Sequence, residues 1–215
     1  MNWIANILLI FFISVGLLIS ESTFSETEED VTSHLEQLRQ KFKDGYIFEA
    51  EMMHEFTDSF TGEVTRASGT IIIGTDRYKI ITDGQQISVD GSNSTVFNEA
   101  QNKVIISNYF PEDDDFAPSR FLGQSDSGFL VRDVITGENG HITFKLGSDD
   151  IFEIITEAKV IIEADSLIPV EISAVDQSDN NYFTIFKAGA FVPFDEALFA
   201  LSWPSGTDII DLREE

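Results

Sequence analysis

Tyr46-Ile47-Phe48-Glu49-Ala50-Glu51-Met52-Met53-His54-Glu55-Phe56 is the stretch on which the fold class turns. Tyr46, Phe48, Ala50, Met52 and Phe56 fall on one side of a period of two, while Glu49, Glu51 and Glu55 fall on the other. That alternation predicts a long strand with one apolar and one mostly wet face. The same texture recurs towards the C-terminus in short runs separated by turn residues: Asp83-Gly84, Asp90-Gly91, Gly137-Glu138-Asn139-Gly140 and Ser178-Asp179-Asn180-Asn181. About ten or eleven strands are expected. Consecutive strands joined by tight turns, each with one apolar face, describe an antiparallel meander curled round its apolar side.

Several runs fix their own inward face. Ile87 and Val89 alternate with Gln86, Ser88 and Asp90; Val104 and Ile106 stand beside Lys103 and Ser107; Ile142, Phe144 and Leu146 alternate with Thr143 and Lys145; Val170, Ile172 and Ala174 alternate with Glu171 and Ser173. Upstream of the first strand the period is that of a helix. Val31, Leu35, Leu38 and Phe42 share one face, Ser25-Glu26-Thr27-Glu28 has the spacing of a capping box, and Arg39, Lys41 and Lys43 crowd the last turn before Gly45. Two stretches break the meander. Residues 111–123, from Pro111 through Asp113, Asp114 and Asp115 to Phe121-Leu122-Gly123, read as an acidic loop entering a short helix. Residues 188–196 read as an irregular bend before a final strand from Leu198 to Trp203. Each is a candidate cover for the open side of the curled sheet.

The chain has 215 residues, 42% of them hydrophobic and 24% charged, enough for one sizeable core and one domain. Nineteen phenylalanines suit either a thick β core or an apolar cavity with bulky walls. A formal net charge of −25 repels phosphate backbones, which argues against nucleic-acid binding; its plain reading is a solvated surface that keeps the chain soluble and monomeric, and the alternative is an acidic face that docks on a basic partner. Met1 to Ser20 carries no charged side chain, Ile4 to Ile19 is almost continuously apolar, and Ser20-Glu21-Ser22 offers a small-x-small cleavage site before the acidic run from Glu26 to Asp30. Residues 1–22 are therefore expected to be a signal peptide, with an uncleaved anchor as the alternative, and residues 23–215 a single exported domain. Cysteine is absent, so there is no disulfide, no thiolate metal site and no cysteine-borne lipid anchor.

From about Glu29 to Asp211 the order of elements resembles the LolA family of outer-membrane lipoprotein carriers. The resemblance is carried by the N-terminal amphipathic helix, the strand ending His54-Glu55-Phe56-Thr57, the hairpin Ala67-Ser68-Gly69-Thr70-Ile71-Ile72-Ile73, the segment Tyr78-Lys79-Ile80 leading to Ile87-Ser88-Val89-Asp90-Gly91, and the closing Leu198 to Asp211 with Pro204-Ser205-Gly206-Thr207-Asp208-Ile209-Ile210. It implies an incomplete antiparallel β-barrel whose hydrophobic concave side is covered by short lid helices. Lipoprotein acyl chains are then held between sheet and lid. Such proteins receive lipoproteins in the periplasm from an ATP-driven inner-membrane release complex and pass them to an outer-membrane acceptor, without a cofactor and without catalysis. The related anchored receptor is itself a lipoprotein, so the absence of Cys favours the soluble carrier.

Read from the residues alone, Phe48, Met52, Phe144 and Ile172 are an ordinary β core. The resemblance makes them, with Ile87, Val89, Val104 and Ile106, candidates for a lipid-binding cavity, and makes Phe121 and Leu122 candidates for its lid. Many family members carry an Arg-Pro pair after the Gly-Thr hairpin, where the Arg holds the lid closed. Here the stretch reads Gly74-Thr75-Asp76-Arg77 without Pro, which leaves Arg77 as the nearest cation for that role.

Other classes find less support. His34, His54 and His141 have no metal-ligand spacing, Asp113 to Asp115 completes no calcium-loop pattern, and Gly123-Gln124-Ser125-Asp126-Ser127-Gly128 has its glycines too far apart for a nucleophile elbow. No enzyme is expected, and no metal. A lipid- or lipoprotein-sensing regulator of envelope stress on the same half-barrel is the competing function.

Overall fold

In the computed structural model, residues 28–111, 114, 118–123 and 128–213 are described, with side chains on the first helix from Ser33 onward. The expected signal segment, the capping box, the side chain of Val31, most of the acidic loop and residues 124–127 lie outside the described residues.

The alternating stretch is β1 (Tyr46–Thr57), at the centre of a twelve-stranded sheet. On one side of it follow β2 (Val64–Ile73), β3 (Tyr78–Thr82), β4 (Gln85–Val89), β5 (Asn93–Asn98) and β6 (Lys103–Asn108), each antiparallel to the last. On the other side lie β11 (Asn181–Pro193), β10 (Pro169–Asp176), β9 (Ile155–Glu163), β8 (His141–Ser148) and β7 (Phe129–Thr136), also antiparallel. A short β12 (Asp208–Asp211) adds in parallel to β6. The sheet is open, with β12 and β7 at its edges, so it is mainly β and an incomplete barrel.

Residues opposite one another in an antiparallel pair share a face, so the pairing register assigns every side chain. Phe48 faces Ile73 and Phe191, and Met52 faces Phe186. Ile71 faces Ile80, which faces Ile87, and Tyr78 faces Val89. Across the other half Ile172 faces Val160, which faces Phe144. These residues belong to one buried cluster or, for Ile87 and Phe191, pack against it, which defines the inner face. The first helix, α1 (Glu28–Lys43), adds Leu35, Leu38 and Phe42 to the same cluster. Its stripe is the one the helical period predicts, and Gly45, at φ 86°, turns the chain from helix to strand. A second helix, α2 (Pro118–Leu122), is buried along its whole length. Each fully buried Leu or Phe contributes about 1.5–3 kcal/mol of transfer free energy, so the two helices are held by burial of their apolar stripes rather than by helix propensity.

Two expectations about the C-terminal region need correction. The bend at residues 188–196 is a strand as far as Pro193, with a bulge at Ala188 and Gly189 between the pairs Glu49–Ala190 and Glu51–Lys187, where Ala188 takes φ 51°. Leu198 to Trp203 is not a strand: a 3-10 turn runs Glu196–Phe199, capped by the Asp195 side chain, and the final strand comes later as β12. The segment lies across the outer face of β3 and β4. Lys79 Nζ donates to the carbonyls of Leu198 and Ala200, and Ser88 Oγ to that of Phe199.

Candidate functional site

The inner face gathers most of the residues singled out from the sequence. Phe48, Met52, Val89, Phe144 and Ile172 lie in the one buried cluster with Phe121 and Leu122, and Ile87 packs against it. Phe48, Phe144 and Ile172 are fully buried. Phe48 meets Phe186 edge-on at 5.4 Å between ring centroids, and Phe191 at 5.6 Å. Val104 and Ile106 are elsewhere. Val104 pairs with Phe97 and Ile106 with Thr95, on the face that also carries Ser88, so both point outward. The run Val104-Ile105-Ile106 is apolar on both faces because the C-terminal segment buries the outer one, and alternation cannot orient such a strand.

The interior is closed by side chains. Leu35, Leu38 and Phe42 enter it from α1, and Phe121 and Leu122, at 1% and 0% exposure, from α2. Phe121 packs on Phe129 at 5.1 Å. Closure weakens towards one edge. On the inner face of β5 and β6, Val96 is half-buried and Ile105 is 37% exposed. The apolar interior is thus deepest beneath the two helices and opens where β4 to β6 run out from under them.

A five-residue helix has no stability of its own, and α2 is seated by specific contacts. Arg120 pairs with Glu153 at 2.6 Å, with both side chains at least nine-tenths buried. The same guanidinium donates to the Pro111 carbonyl at 3.2 Å and lies over the Phe129 ring. Ahead of the helix, Tyr78 donates its hydroxyl to Asp114 at 2.7 Å, and burial together with that carboxylate pushes the phenol well above its ordinary range. After the helix, Gly123 rests on the β2–β3 turn. A Cβ there would come within 2.8 Å of the Gly74 carbonyl oxygen and 3.0 Å of Thr75 Cα, so only glycine allows the approach. Thr75 also reaches the last turn of α1, donating to the Phe42 carbonyl at 3.4 Å.

Arg77 leaves that turn in another direction. Its guanidinium lies over Phe194 and Phe199, which stack on each other, and pairs with Asp76 at 3.1 Å. It fastens the C-terminal segment to the outer face, and the cation that holds α2 is Arg120. Of the second expected cover, residues 188–196, the part beyond β11 likewise lies outside the concave side, where Phe194 stacks on Phe199. Two residues of the site were not recognised from the sequence. Arg120 takes its role from a partner thirty-three positions away in a loop, which no local pattern announces. Arg39 reads as a last-turn cation, yet it is 4% exposed in α1. Its Nη1 donates to Glu36 at 3.0 Å, while Nε and Nη2 are buried without a hydrogen-bond partner among the described residues.

His54 sits on β1 with Nδ1 2.8 Å from Thr184 Oγ1, and burial lowers its pKa, which favours the neutral ring. A groove of about 560 Å³ lies on the outer side of β8 to β10, lined by Lys145, Thr156, Glu157, Lys159, Ser173 and Asn181 among others. Its lysines are paired, Lys145 with Asp133 and Lys159 with Glu171. Its lining is mixed, with Val175, Ala158 and Leu146 among the charged and polar residues. Among the described residues no helix is long and apolar enough to cross a membrane.

No family model matches the sequence, and no curated protein does. Solved structures do match. An uncharacterized conserved protein from Thermus thermophilus is similar over 86% of this chain and 99% of its own, at 10% identity and a TM-score of 0.51. A LolA superfamily protein from Nitrosomonas europaea is similar over 80% of this chain and 97% of its own, at 8% identity and a TM-score of 0.43. A putative outer membrane lipoprotein-sorting protein domain from Vibrio parahaemolyticus is similar over 79% and 97%, at 11% identity and a TM-score of 0.43.

Proposed function

We propose that this chain is an exported, non-catalytic carrier of lipid-modified proteins, whose acyl chains enter the apolar interior by displacing α2. The observation that carries the reading is the construction of the cover. Beside the side chains that α1 contributes, one short helix closes the apolar interior with Phe121 and Leu122, and it is fastened by polar contacts rather than by a continuous packed element.

Magnitudes favour exchange of side chain for lipid. Displacing Phe121 and Leu122 into water costs about 1.5–3 kcal/mol each. Burying an acyl chain gains about 0.8 kcal/mol per methylene, so roughly eight methylenes offset both. The chains of a lipoprotein anchor exceed that length, so their burial offsets displacement of the plug, while release is set against an acceptor membrane that buries the same methylenes. The half-open inner face of β5 and β6, with Val96 and Ile105, is the natural entrance. A carrier of this kind works in the periplasm between an ATP-driven release complex in the inner membrane and an acceptor in the outer membrane.

The test is hydrogen exchange on the exported protein with and without a triacylated lipopeptide, alongside direct titration with a fluorescent acyl probe. The expected result is saturable binding and a change of exchange in residues 118–123 that exceeds any change in the β1–β2 hairpin. Absence of acyl binding, with α2 as protected as the central strands, would mean a filled β core and no carrier.

A further inference from the structure

Two turns at one end of the sheet carry the three most exposed large apolar side chains among the described residues. Phe60, in the β1–β2 turn, is 96% exposed; Ile151 and Phe152, in the β8–β9 loop, are 80% and 82% exposed. Single exposed apolar residues are ordinary, but a group of them on adjoining turns is not. The turns are stitched together through the β10–β11 turn. Ser59 donates its backbone N–H to Asn180 Oδ1 at 2.9 Å and its hydroxyl to the Ser178 carbonyl. Gln177 donates its side chain to the carbonyls of Ile151 and Glu153 at 3.0 and 2.9 Å, and its N–H to that of Ile154.

The tips are also held still. Asp58 accepts from the N–H groups of Phe60 and Thr61, and Asp150 from that of Phe152. Asp176 accepts from the N–H groups of Ser178 and Asn180. Apolar side chains on turns fixed in this way bind with little ordering cost.

We infer that this rim is the docking surface for a protein whose receiving site is an apolar recess bordered by Lys and Arg, and that docking there acts on α2 through Glu153. Charge selects the occupant. Residues 58–63, 149–154 and 176–180 contain seven Asp and Glu and no Lys, Arg or His; Asp149 and Glu153 are paired with Arg132 and Arg120 and Asp176 is buried, which leaves Asp58, Glu63, Asp150 and Asp179 to meet a partner. Sinking the tips into a bilayer would drag the capping carboxylates of Asp58 and Asp150 towards it, and an anionic leaflet would repel them. A basic recess pairs with the same carboxylates while it buries Phe60, Ile151 and Phe152. The connection to α2 is short: Glu153 follows Phe152 directly, Gln177 holds its backbone, and its carboxylate is the partner of Arg120. A partner that tilts this hydrogen-bonded rim as a unit carries Glu153 with it and loosens the buried Arg120–Glu153 pair that seats α2. This rests on the carrier reading for the purpose of the coupling, while the docking itself does not.

The experiment places the photo-crosslinker p-benzoylphenylalanine at position 60 or 152 of the full chain in its native cells, with position 51 on the outer face of β1 as control. The expected result is one basic envelope protein joined from both rim positions and not from the control. With that protein purified, Phe60→Ser combined with Phe152→Ser should weaken binding about tenfold or more, as loss of central aromatic anchors does. Binding should also weaken as salt rises, and the partner should speed exchange in residues 118–123 of the wild type alone. Crosslinks to lipid only, equal crosslinks from position 51, or no adduct would overturn the docking surface. A bound partner that leaves residues 118–123 unchanged would overturn the coupling. Titration of the double variant with an acyl probe separates the two readings: retained acyl binding localises a defect to the rim, whereas a wild type that binds no acyl probe removes the carrier reading and leaves the docking result standing.

Discussion

Arg39 occupies a position that an apolar residue would fill at lower cost. Its neighbours on the buried face of α1 are Leu35, Leu38 and Phe42, and two of its three guanidinium nitrogens are buried without a partner among the described residues. A buried polar group left unpaired costs about 1–3 kcal/mol, more when charged, and replacement of buried ionic groups by apolar ones is often neutral or stabilising. Arg39→Leu is therefore expected to leave the unfolding midpoint unchanged or raise it, by up to about 2 kcal/mol in stability. If the guanidinium is retained to meet polar atoms of the cargo, such as the ester and amide groups beside the acyl chains, the same variant should bind a lipopeptide several-fold more weakly and a plain hydrocarbon probe as well as before. Calorimetric melting and paired titrations check both halves, and a variant that melts markedly lower would show Arg39 to be a structural residue. At this scale the sequence was informative where charge alternates with carbon. Phe48 and Phe144 declare their face because Glu49 and Lys145 stand next to them, whereas Val104 and Ile106, with Ile105 between, declare nothing. Arg39 and Arg120 were opaque for a different reason, since their burial is decided by elements distant in the chain.

Helix α2 shows what an element can and cannot announce. Its position follows from the break in the strand pattern at residues 111–123, and Phe121 and Leu122 point where a cover should point. Its fastening does not follow, because Glu153, Tyr78 and the Gly74–Thr75 backbone reach it only in the folded state. Breaking a buried ion pair by removing one partner ordinarily costs about 3–5 kcal/mol. Here the strained state has an escape, because the helix can detach without unfolding the sheet. Arg120→Ala should accordingly lower the global melting temperature little, while amide exchange in residues 118–123 accelerates at least about tenfold. Gly123→Ala should do the same by a steric route, leaving the Arg120–Glu153 pair intact but unable to seat. Loss of global stability in full proportion, with no local acceleration, would mean that α2 is part of the cooperative core and cannot serve as a lid. The strand register has the same character. The meander from β1 to β6 is legible from turn to turn, but the return that lays β11 against β1, and the bulge at Ala188 that lets it continue to Pro193, are tertiary facts that looked like an irregular bend.

For the molecule as a whole, a net charge of −25 opposes compaction, and the ion pairs do little to relieve it. Eight are present among the described residues, most with exposed or half-exposed partners. Exposed pairs contribute about 0–1 kcal/mol each, and salt weakens them. Salt weakens the repulsion as well, and with thirty-eight acidic residues against thirteen Lys and Arg the repulsive contacts outnumber the attractive ones. Raising ionic strength from about 10 mM to about 150 mM shortens the screening length from about 30 Å to about 8 Å, the range over which carboxylates on neighbouring turns feel one another. The melting temperature should rise by several degrees across that interval and level off beyond it, equally for sodium and potassium chloride, since screening is blind to the cation. A partner with a basic recess experiences the opposite sign, because the field that strains the free protein is the one that draws the partner in. Stability should therefore climb with salt over the interval in which rim binding falls. Melting curves and binding isotherms measured in one salt series test this directly. A melting temperature that is flat or falls with salt would show that the acidic surface is already balanced within the fold, and would remove the electrostatic reason for a basic partner.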